Sequence, residues 1–290
     1  MTHDPTKSRR SLLVGLLGAG IQASRTPALH EQEGAELGLR YVYRTIDLTQ
    51  LGLEAQDLPE LLIAAERLGY DGLNVTIPCK QAIIPLLHEV SEDAAALGAV
   101  NTVLFENGRR IGHNTDWWGF AQNLRRTMSD VRLDHVVLLG AGGGGSAVAY
   151  ALLKSDAGRL TILDVDGTRA ARLAAQLGAR FGAGRIVANE NITHALATAD
   201  GVVNATPMGM ATFPGTALPT ELLHPGLWVA DIVYFPLETA LLAAARARGC
   251  RTLDGGGMAV MQAAGAFRLF TGIEPDARRM RRHFAEMVSG

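Results

Sequence analysis

The chain has 290 residues, 48% of them hydrophobic and 19% charged, enough for one large or two modest domains with a true core. With 27 basic against 29 acidic residues and a formal net charge of -2, there is no global basic field, so neither nucleic acid nor an anionic membrane is expected as partner. Two cysteines, Cys79 and Cys250, exclude a disulfide scaffold and a cysteine-rich zinc site and suit a reducing cytoplasm, and no apolar run reaches the roughly 18–20 residues of a membrane-spanning helix.

Ser8-Arg9-Arg10-Ser11 followed by an apolar stretch imitates a twin-arginine export signal, but Leu12–Leu17 reads better as the first buried strand. Pro27–Leu37 reads as a helix and Tyr41–Ile46 as a second strand. Asp57-Leu58-Pro59-Glu60 has the pattern of a helix start, with Asp57 as cap, and Leu58, Leu61, Leu62, Ala65 and Leu68 follow helical spacing. Leu73–Ile77 is an expected strand and Gln81–Val90 an expected helix, bent near Pro85. Val100–Phe105 and Arg109–Gly112 flank Asn107-Gly108, a strong hairpin pair. A helix over Trp117–Met128 leads into a second α/β series. Its expected strands are His135–Leu139, Leu160–Leu163, Arg185–Val187, Gly201–Asn204 and Trp228–Ile232. Its expected helices are Gly144–Lys154, Thr168–Phe181, Ile192–Ala197 and Glu238–Arg248, and the tail is helical over Met258–Phe270 and Asp276–Val288. Repeated strand-helix units imply a parallel sheet with right-handed crossovers.

Gly140-Ala141-Gly142-Gly143-Gly144-Gly145 joins a buried strand to a helix. Gly140, Gly142 and Gly145 take the three places of a dinucleotide fingerprint: tight turn, close approach of backbone to pyrophosphate, and close packing of helix on strand. The helix start offers N–H groups to phosphate. The next strand ends at Asp164, about 20 residues on, where a carboxylate accepts bonds from ribose hydroxyls and repels a 2′-phosphate. Asp166 adds a second negative charge, Val165 stands where NADP sites place a cation, and Arg169 lies a helical turn further. Asp164 and Asp166 also fit as caps of the following helix. The balance favours NAD over NADP.

Ser24 and Thr26 flank Arg25 at the mouth of a helix, where hydroxyls either cap the helix or hold a carboxylate. Thr76 and Lys80 lie where a buried strand gives way to a turn, Asn101 begins an apolar strand, and Asn114-Thr115-Asp116 closes the first half. A lysine paired with an aspartate suits proton transfer at a hydroxyl being oxidised, and hydroxyl and amide side chains suit a polyhydroxylated ring. The eight histidines are scattered, and no metal site is expected.

Taken in order, these motifs resemble the shikimate dehydrogenase family, and most closely its bacterial NAD-dependent quinate/shikimate branch. The markers are Ser24-Arg25-Thr26-Pro27 with His30, Asn74–Lys80, Gly98–Thr102, Gly112–Asp116, Gly140–Gly143, Asn204–Met210, and Gly257-Met258 with Gln262. The resemblance implies that Ser24 and Thr26 hold a substrate carboxylate and that Thr76, Asn101 and Gln262 bind ring hydroxyls. It implies that Lys80, as acid/base, and Asp116 flank the reacting hydroxyl, with Tyr234 near the carboxylate. Asn204, Thr206, Pro207, Met210 and Ile232 would line the nicotinamide side, with Gly257 close to that ring. Two positions depart from the biosynthetic pattern: Cys79 replaces a usually aromatic residue before the lysine, and Thr26 replaces a usual Ser, as in the quinate-accepting branch.

The expected fold is α/β in two domains with a cleft between them. Residues 1–116 and 258–290 form a substrate-binding domain completed by C-terminal helices, and residues 117–257 a Rossmann-type NAD-binding domain that closes on hinges near Asp116 and Gly257. The expected activity is hydride exchange between NAD and the C3 hydroxyl of quinate or shikimate, in the cytoplasm, by a monomer or homodimer. The expected small-molecule partner is a cyclohexane or cyclohexene polyol carboxylate. The alternatives are an NADP-dependent biosynthetic shikimate dehydrogenase, an aminoshikimate-type paralogue, and a non-catalytic nucleotide sensor.

Overall fold

A computed structural model of the chain describes residues 11–289. The arginine pair of the export-like motif lies outside them. Two compact units emerge, one running to Thr115 and including Ala263–Met287, the other built on Asp116–Gln262. Among the described residues no helix is long and apolar enough to cross a membrane.

The first unit contains β1 (Ser11–Gly18), α1 (Thr26–Glu36), β2 (Arg40–Asp47), α2 (Leu48–Leu51), α3 (Leu58–Arg67) and β3 (Gly72–Val75). It continues with α4 (Cys79–Ala82), β4 (Glu89–Val90), α5 (Glu92–Leu97), β5 (Thr102–Glu106) and β6 (Arg109–His113). Its sheet has the order β2-β1-β3-β5-β6-β4. The β1–β2, β1–β3 and β4–β6 pairs are parallel, and the pairs of β5 with β3 and β6 are antiparallel. β1 is buried nearly throughout because strands flank it on both sides. The β5–β6 hairpin turns on Asn107 (φ 50) and Gly108 (φ 72), the two positive angles that a two-residue turn of this hand requires.

The second unit opens with α6 (Asp116–Thr127), then β7 (His135–Leu139), α7 (Gly143–Lys154), β8 (Arg159–Leu163), α8 (Gly167–Phe181) and β9 (Ile186–Ala188). It continues with α9 (Ile192–Ala197), β10 (Gly201–Asn204), β11 (Trp228–Asp231), α10 (Ala240–Ala247), β12 (Arg251–Leu253) and the start of α11 (Gly255–Thr271); the rest of α11 and α12 (Ala277–Ser289), as far as Met287, belong to the first unit. All five strand pairs are parallel. The order β9-β8-β7-β10-β11-β12 is the doubly wound one, in which the sheet reverses direction of growth between β7 and β10. The boundary between the units falls inside α11, between Gln262 and Ala263.

Four sequence expectations change. Asp57 does not cap α3; it ends a 3-10 turn, and its carboxylate accepts the Glu54 N–H at 2.8 Å. Leu68 lies past the last turn of α3 and is exposed. Strand β3 stops at Val75, leaving Ile77 exposed before Pro78, which has no N–H to continue a ladder. The helix expected over Gln81–Val90 is cut short: Pro85 sits in a 3-10 turn, and Glu89–Val90 pairs with Ile111–Gly112 as a strand. The short elements α2, α5 and β12 have no counterpart in the sequence reading.

Glu33 fastens α12 to α1. Fully buried, its carboxylate takes a two-pronged bond from Arg279 (2.6 and 2.9 Å) and the Asp276 N–H at 2.8 Å. The Arg279 side chain keeps 21% exposure, so losing the pair should cost less than the 3–5 kcal/mol typical when both partners are enclosed. We predict that Glu33→Gln lowers unfolding free energy by about 2 kcal/mol in urea titrations; an unchanged midpoint would show that the pair contributes nothing.

Candidate active site

In the first unit the polar residues converge on the ends of β1, β3 and β5. Ser24 is half-buried; its N–H donates to the Ile21 carbonyl at 3.0 Å and its Oγ accepts the Thr26 N–H at 3.3 Å. The residue preceding α1, Arg25, offers no side-chain cap, so the two hydroxyls flank a helix start with free polar capacity. Gly18 lets Thr76 approach: a Cβ there would overlap the Thr76 methyl and meet the Ile77 carbonyl at 3.0 Å. Lys80 is half-buried on α4, and its carbonyl accepts the Val100 N–H at 2.9 Å. Cys79 points into the core with Leu17, Leu73, Ile83 and Val100, and burial pushes its thiol up to about 11. The replacement of an aromatic residue by Cys79 is therefore a change of core packing.

A buried line of hydrogen bonds ends at the residue before Asp116. Tyr43 donates to Asn74 Oδ1 (2.8 Å), and Asn74 Nδ2 donates to Thr102 Oγ1 (3.1 Å). Thr102 donates to Asn101 Oδ1 (2.9 Å), which also accepts the Thr115 N–H (2.8 Å), while Asn101 Nδ2 donates to Thr115 Oγ1 (3.0 Å). The backbone donor at Thr115 fixes the amide of Asn101 one way round. Asn114 adds a bond to the Ala99 carbonyl at 2.9 Å. The backbone leading to Asp116, itself buried, is thus clamped to the start of β5.

In the second unit the glycines sort by task. Gly140 adopts φ +98, and a Cβ on it would meet the Ala205 carbonyl at 2.8 Å, so β7 and β10 approach closely where the sheet reverses. Gly145 packs on the Gly140 carbonyl with no room for a Cβ, and Gly144 lies under the Ile232 side chain. Gly142 and Gly143 are exposed, and a Cβ on either would meet nothing within 4 Å, which leaves that side open to a ligand. Ser146 N–H to the Gly142 carbonyl (2.8 Å) is the first bond of α7, so the N–H groups of Gly143, Gly144 and Gly145 precede the helical ladder.

Asp164 accepts the Ala141 N–H at 2.7 Å and the Asp166 N–H at 2.9 Å, which sets its carboxylate beside this turn. Asp166, not Asp164, caps α8 through Thr168 N–H, and Arg169 pairs with Asp166 at 3.3 Å. Val165 is fully exposed.

Asn204 is the last residue of β10. It is fully buried, donating to the Met208 carbonyl (2.9 Å) and Asp231 (3.0 Å) and accepting from Thr206 N–H (3.0 Å) and Oγ1 (2.7 Å). With every hydrogen-bonding position occupied, it shapes the Ala205–Met210 loop. Gly257 is buried against Asn123, which fills the space a Cβ would need. Gly119 likewise meets the Gln262 N at 2.8 Å, so α6 and α11 cross on two glycines. Tyr234 is half-exposed in the loop after β11, and Gln262 is half-buried on α11.

Asp231 was not singled out by the sequence, although an acid closing the apolar run Trp228-Val229-Ala230 is a signal. Almost wholly buried, it accepts from Asn204, the Val233 N–H (3.0 Å) and Thr239 Oγ1 (2.8 Å), joining the loops after β10 and β11. Burial raises its carboxyl to about 6, against the downward pull of these bonds. As pH rises from about 4 to about 6 the unfolded chain gives up this proton before the folded one, so the contribution to stability is full at low pH and is lost through that window. Urea titrations from pH 4 to 7 should show the stability of Asp231→Asn relative to wild type improving across that range; a constant difference would contradict this origin.

Residues 16–103 match the shikimate dehydrogenase substrate binding domain, and residues 255–283 the shikimate 5'-dehydrogenase C-terminal domain. The shikimate dehydrogenase (NADP(+)) of Streptomyces avermitilis is 57% identical over 280 residues, covering 96% of each chain. The quinate/shikimate dehydrogenase (NAD(+)) of Corynebacterium efficiens is 51% identical over 290 residues, 99% of this chain and 100% of the relative. The solved quinate dehydrogenase from Corynebacterium glutamicum in complex with NAD superposes with a TM-score of 0.91 at 51% identity, covering 95% of this chain and 99% of that one.

Proposed function

We propose that this chain, which belongs to the shikimate dehydrogenase family, is an NAD-linked oxidoreductase that interconverts the C3 hydroxyl of quinate or shikimate and the corresponding ketone. The observation that carries the reading is likeness to quinate/shikimate dehydrogenases along nearly the whole chain, in a sequence that has both Lys80 and Asp116. A non-catalytic sensor would need the glycine turn but no proton-transfer pair.

The described site fits a dinucleotide. Gly142 and Gly143 leave an open cradle, the start of α7 supplies N–H groups for pyrophosphate, and Asp164 is set for the ribose hydroxyls. NAD, when bound, supplies the hydride acceptor. Residues 117–257 would form the dinucleotide-binding domain, with Thr206, Pro207, Met210 and Ile232 on the nicotinamide side. The remainder would form the substrate domain. There Ser24 and Thr26 bind the substrate carboxylate, while Thr76, Asn101 and Gln262 bind ring hydroxyls. Lys80 Nζ takes the hydroxyl proton as the carbonyl forms, and Asp116 orients the resulting ammonium. The two buried thiols suit a reducing cytoplasm.

The relatives carry both NAD(+) and NADP(+) in their names, and the 57% identical one supports an NADP-linked biosynthetic enzyme as the second reading. The residues of this chain favour NAD. A 2′-phosphate would meet the Asp164 carboxylate, with Val165 offering no cation and Arg169 already paired to Asp166. Like-charge juxtaposition of this kind costs several kcal/mol.

Lys80→Met should lower kcat by about 10²–10⁴ and leave NAD affinity unchanged, measured by steady-state rates and by titration of NAD. A loss under about tenfold would make Lys80 a bystander to proton transfer. Asp164→Asn combined with Val165→Arg should narrow or invert the preference for NAD; an unaltered ratio of kcat/KM values would remove Asp164 from cofactor selection.

A further inference from the structure

Asp47 ends β2, and the parallel register sets it opposite Gly18, where β1 releases the loop that carries Ser24. That loop turns at Gly20 (φ +66) beyond the end of β1, so the Gly20 and Ile21 N–H groups need acceptors outside the strand ladder. Asp47 takes them. Its Oδ1 accepts the Gly20 N–H at 2.8 Å and its Oδ2 the Ile21 N–H at 3.0 Å and Gln22 Nε2 at 3.0 Å. A fourth bond, from the Thr49 N–H to Oδ1 at 3.1 Å, secures the carboxylate on the far side of β2. Only 3% of the residue is exposed.

The bonds continue toward the hydroxyls. The Ile21 carbonyl accepts the Ser24 N–H, and Ser24 Oγ accepts the Thr26 N–H. Capping the four-residue α2 explains the bond to Thr49 but not the three to the loop. Four donors converge on two oxygens, a demand that an amide, with one oxygen and one NH₂, does not meet. Burial pushes the carboxyl upward, but the Gln22 amide and the N–H groups of Gly20, Ile21 and Thr49 outweigh it and hold the group below its ordinary value, ionised at neutral pH.

We propose that Asp47 is a positioning residue for substrate binding: by holding Gly20–Gln22 it fixes where the Ser24 and Thr26 hydroxyls meet the substrate carboxylate. This rests on the reading that those hydroxyls bind it. A contact remote from the reacting carbon, used equally before and during hydride transfer, acts on KM and not on kcat.

The test compares Asp47→Asn, the double variant Ser24→Ala/Thr26→Ala, and all three substitutions together, with quinate and NAD as substrates. Asp47→Asn should raise the quinate KM about tenfold, with kcat and the NAD KM within about twofold. In the Ser24→Ala/Thr26→Ala background the same substitution should add less than about twofold, because the groups it positions are gone. Gln22→Ala, an exposed change that removes one loop bond, should raise the quinate KM about twofold and keeps the test available if Asp47→Asn does not fold. A rise in the NAD KM alongside that for quinate, a fully additive triple variant, or an unchanged quinate KM in both Asp47→Asn and Gln22→Ala would overturn the proposal while leaving the carboxylate site standing. An unchanged quinate KM in Ser24→Ala/Thr26→Ala would remove that site, and the proposal with it.

Discussion

The constraint on which the site depends is the backbone N–H group left without a ladder partner where a strand ends. Such donors are costly when buried and must find an acceptor. In this chain carboxylates at strand ends repeatedly provide it, from the adjacent strand or from the same one. Asp47 accepts from Gly20 and Ile21, Asp164 from Ala141, and Asp231 from Val233. Each of these bonds lies at the C-terminal end of a parallel strand, where an α/β sheet presents its ligand-binding loops. A charged acceptor strengthens the bond and makes it specific for a carboxylate. The loops are therefore set by acids that belong to the scaffold, and Asp164, which uses only two of its acceptor sites on the backbone, keeps capacity for a ligand as well.

The two units solve the same problem with different materials. In the second, glycine does much of the work: Gly140 and Gly145 bring β7, α7 and the Ala205 carbonyl closer than any side chain would allow. In the first, the work falls to side-chain amides and hydroxyls. The line from Tyr43 through Asn74, Thr102 and Asn101 to Thr115 crosses the sheet and stiffens the backbone just ahead of Asp116. Each member is buried and bonded, the condition under which a polar network inside a sheet rigidifies instead of weakening it. Asn101 thus has a structural duty alongside any contact with substrate.

Much of this was legible in the residues. Strands β7 and β10 and helix α9 follow from sequence to the residue, because apolar runs there stop abruptly at polar or glycine positions. The glycine turn and Asp164 were legible because that motif encodes backbone geometry directly. Short elements were not: β12 is a three-residue edge strand, and Glu89–Val90 becomes a strand only through pairing with Ile111–Gly112. The acids show where local reading ends. Asp57 looks like a cap and bonds backward, while the cross-strand partners of Asp47 and Asp231, the Ile21 N–H and the Asn204 amide, lie 26 and 27 residues away in the chain and leave no local trace. Asn204 was recognised as belonging to the loop, but its burial, and so its part as a brace, required the fold.

An NAD-linked dehydrogenase that accepts quinate as well as shikimate is tested most directly by initial rates of reduced-cofactor formation with the two acids, each with NAD and with NADP. Both acids should be oxidised with NAD, at a kcat/KM at least about tenfold above that with NADP. Efficient turnover of shikimate with NADP and none of quinate with NAD would contradict it and identify the biosynthetic enzyme instead.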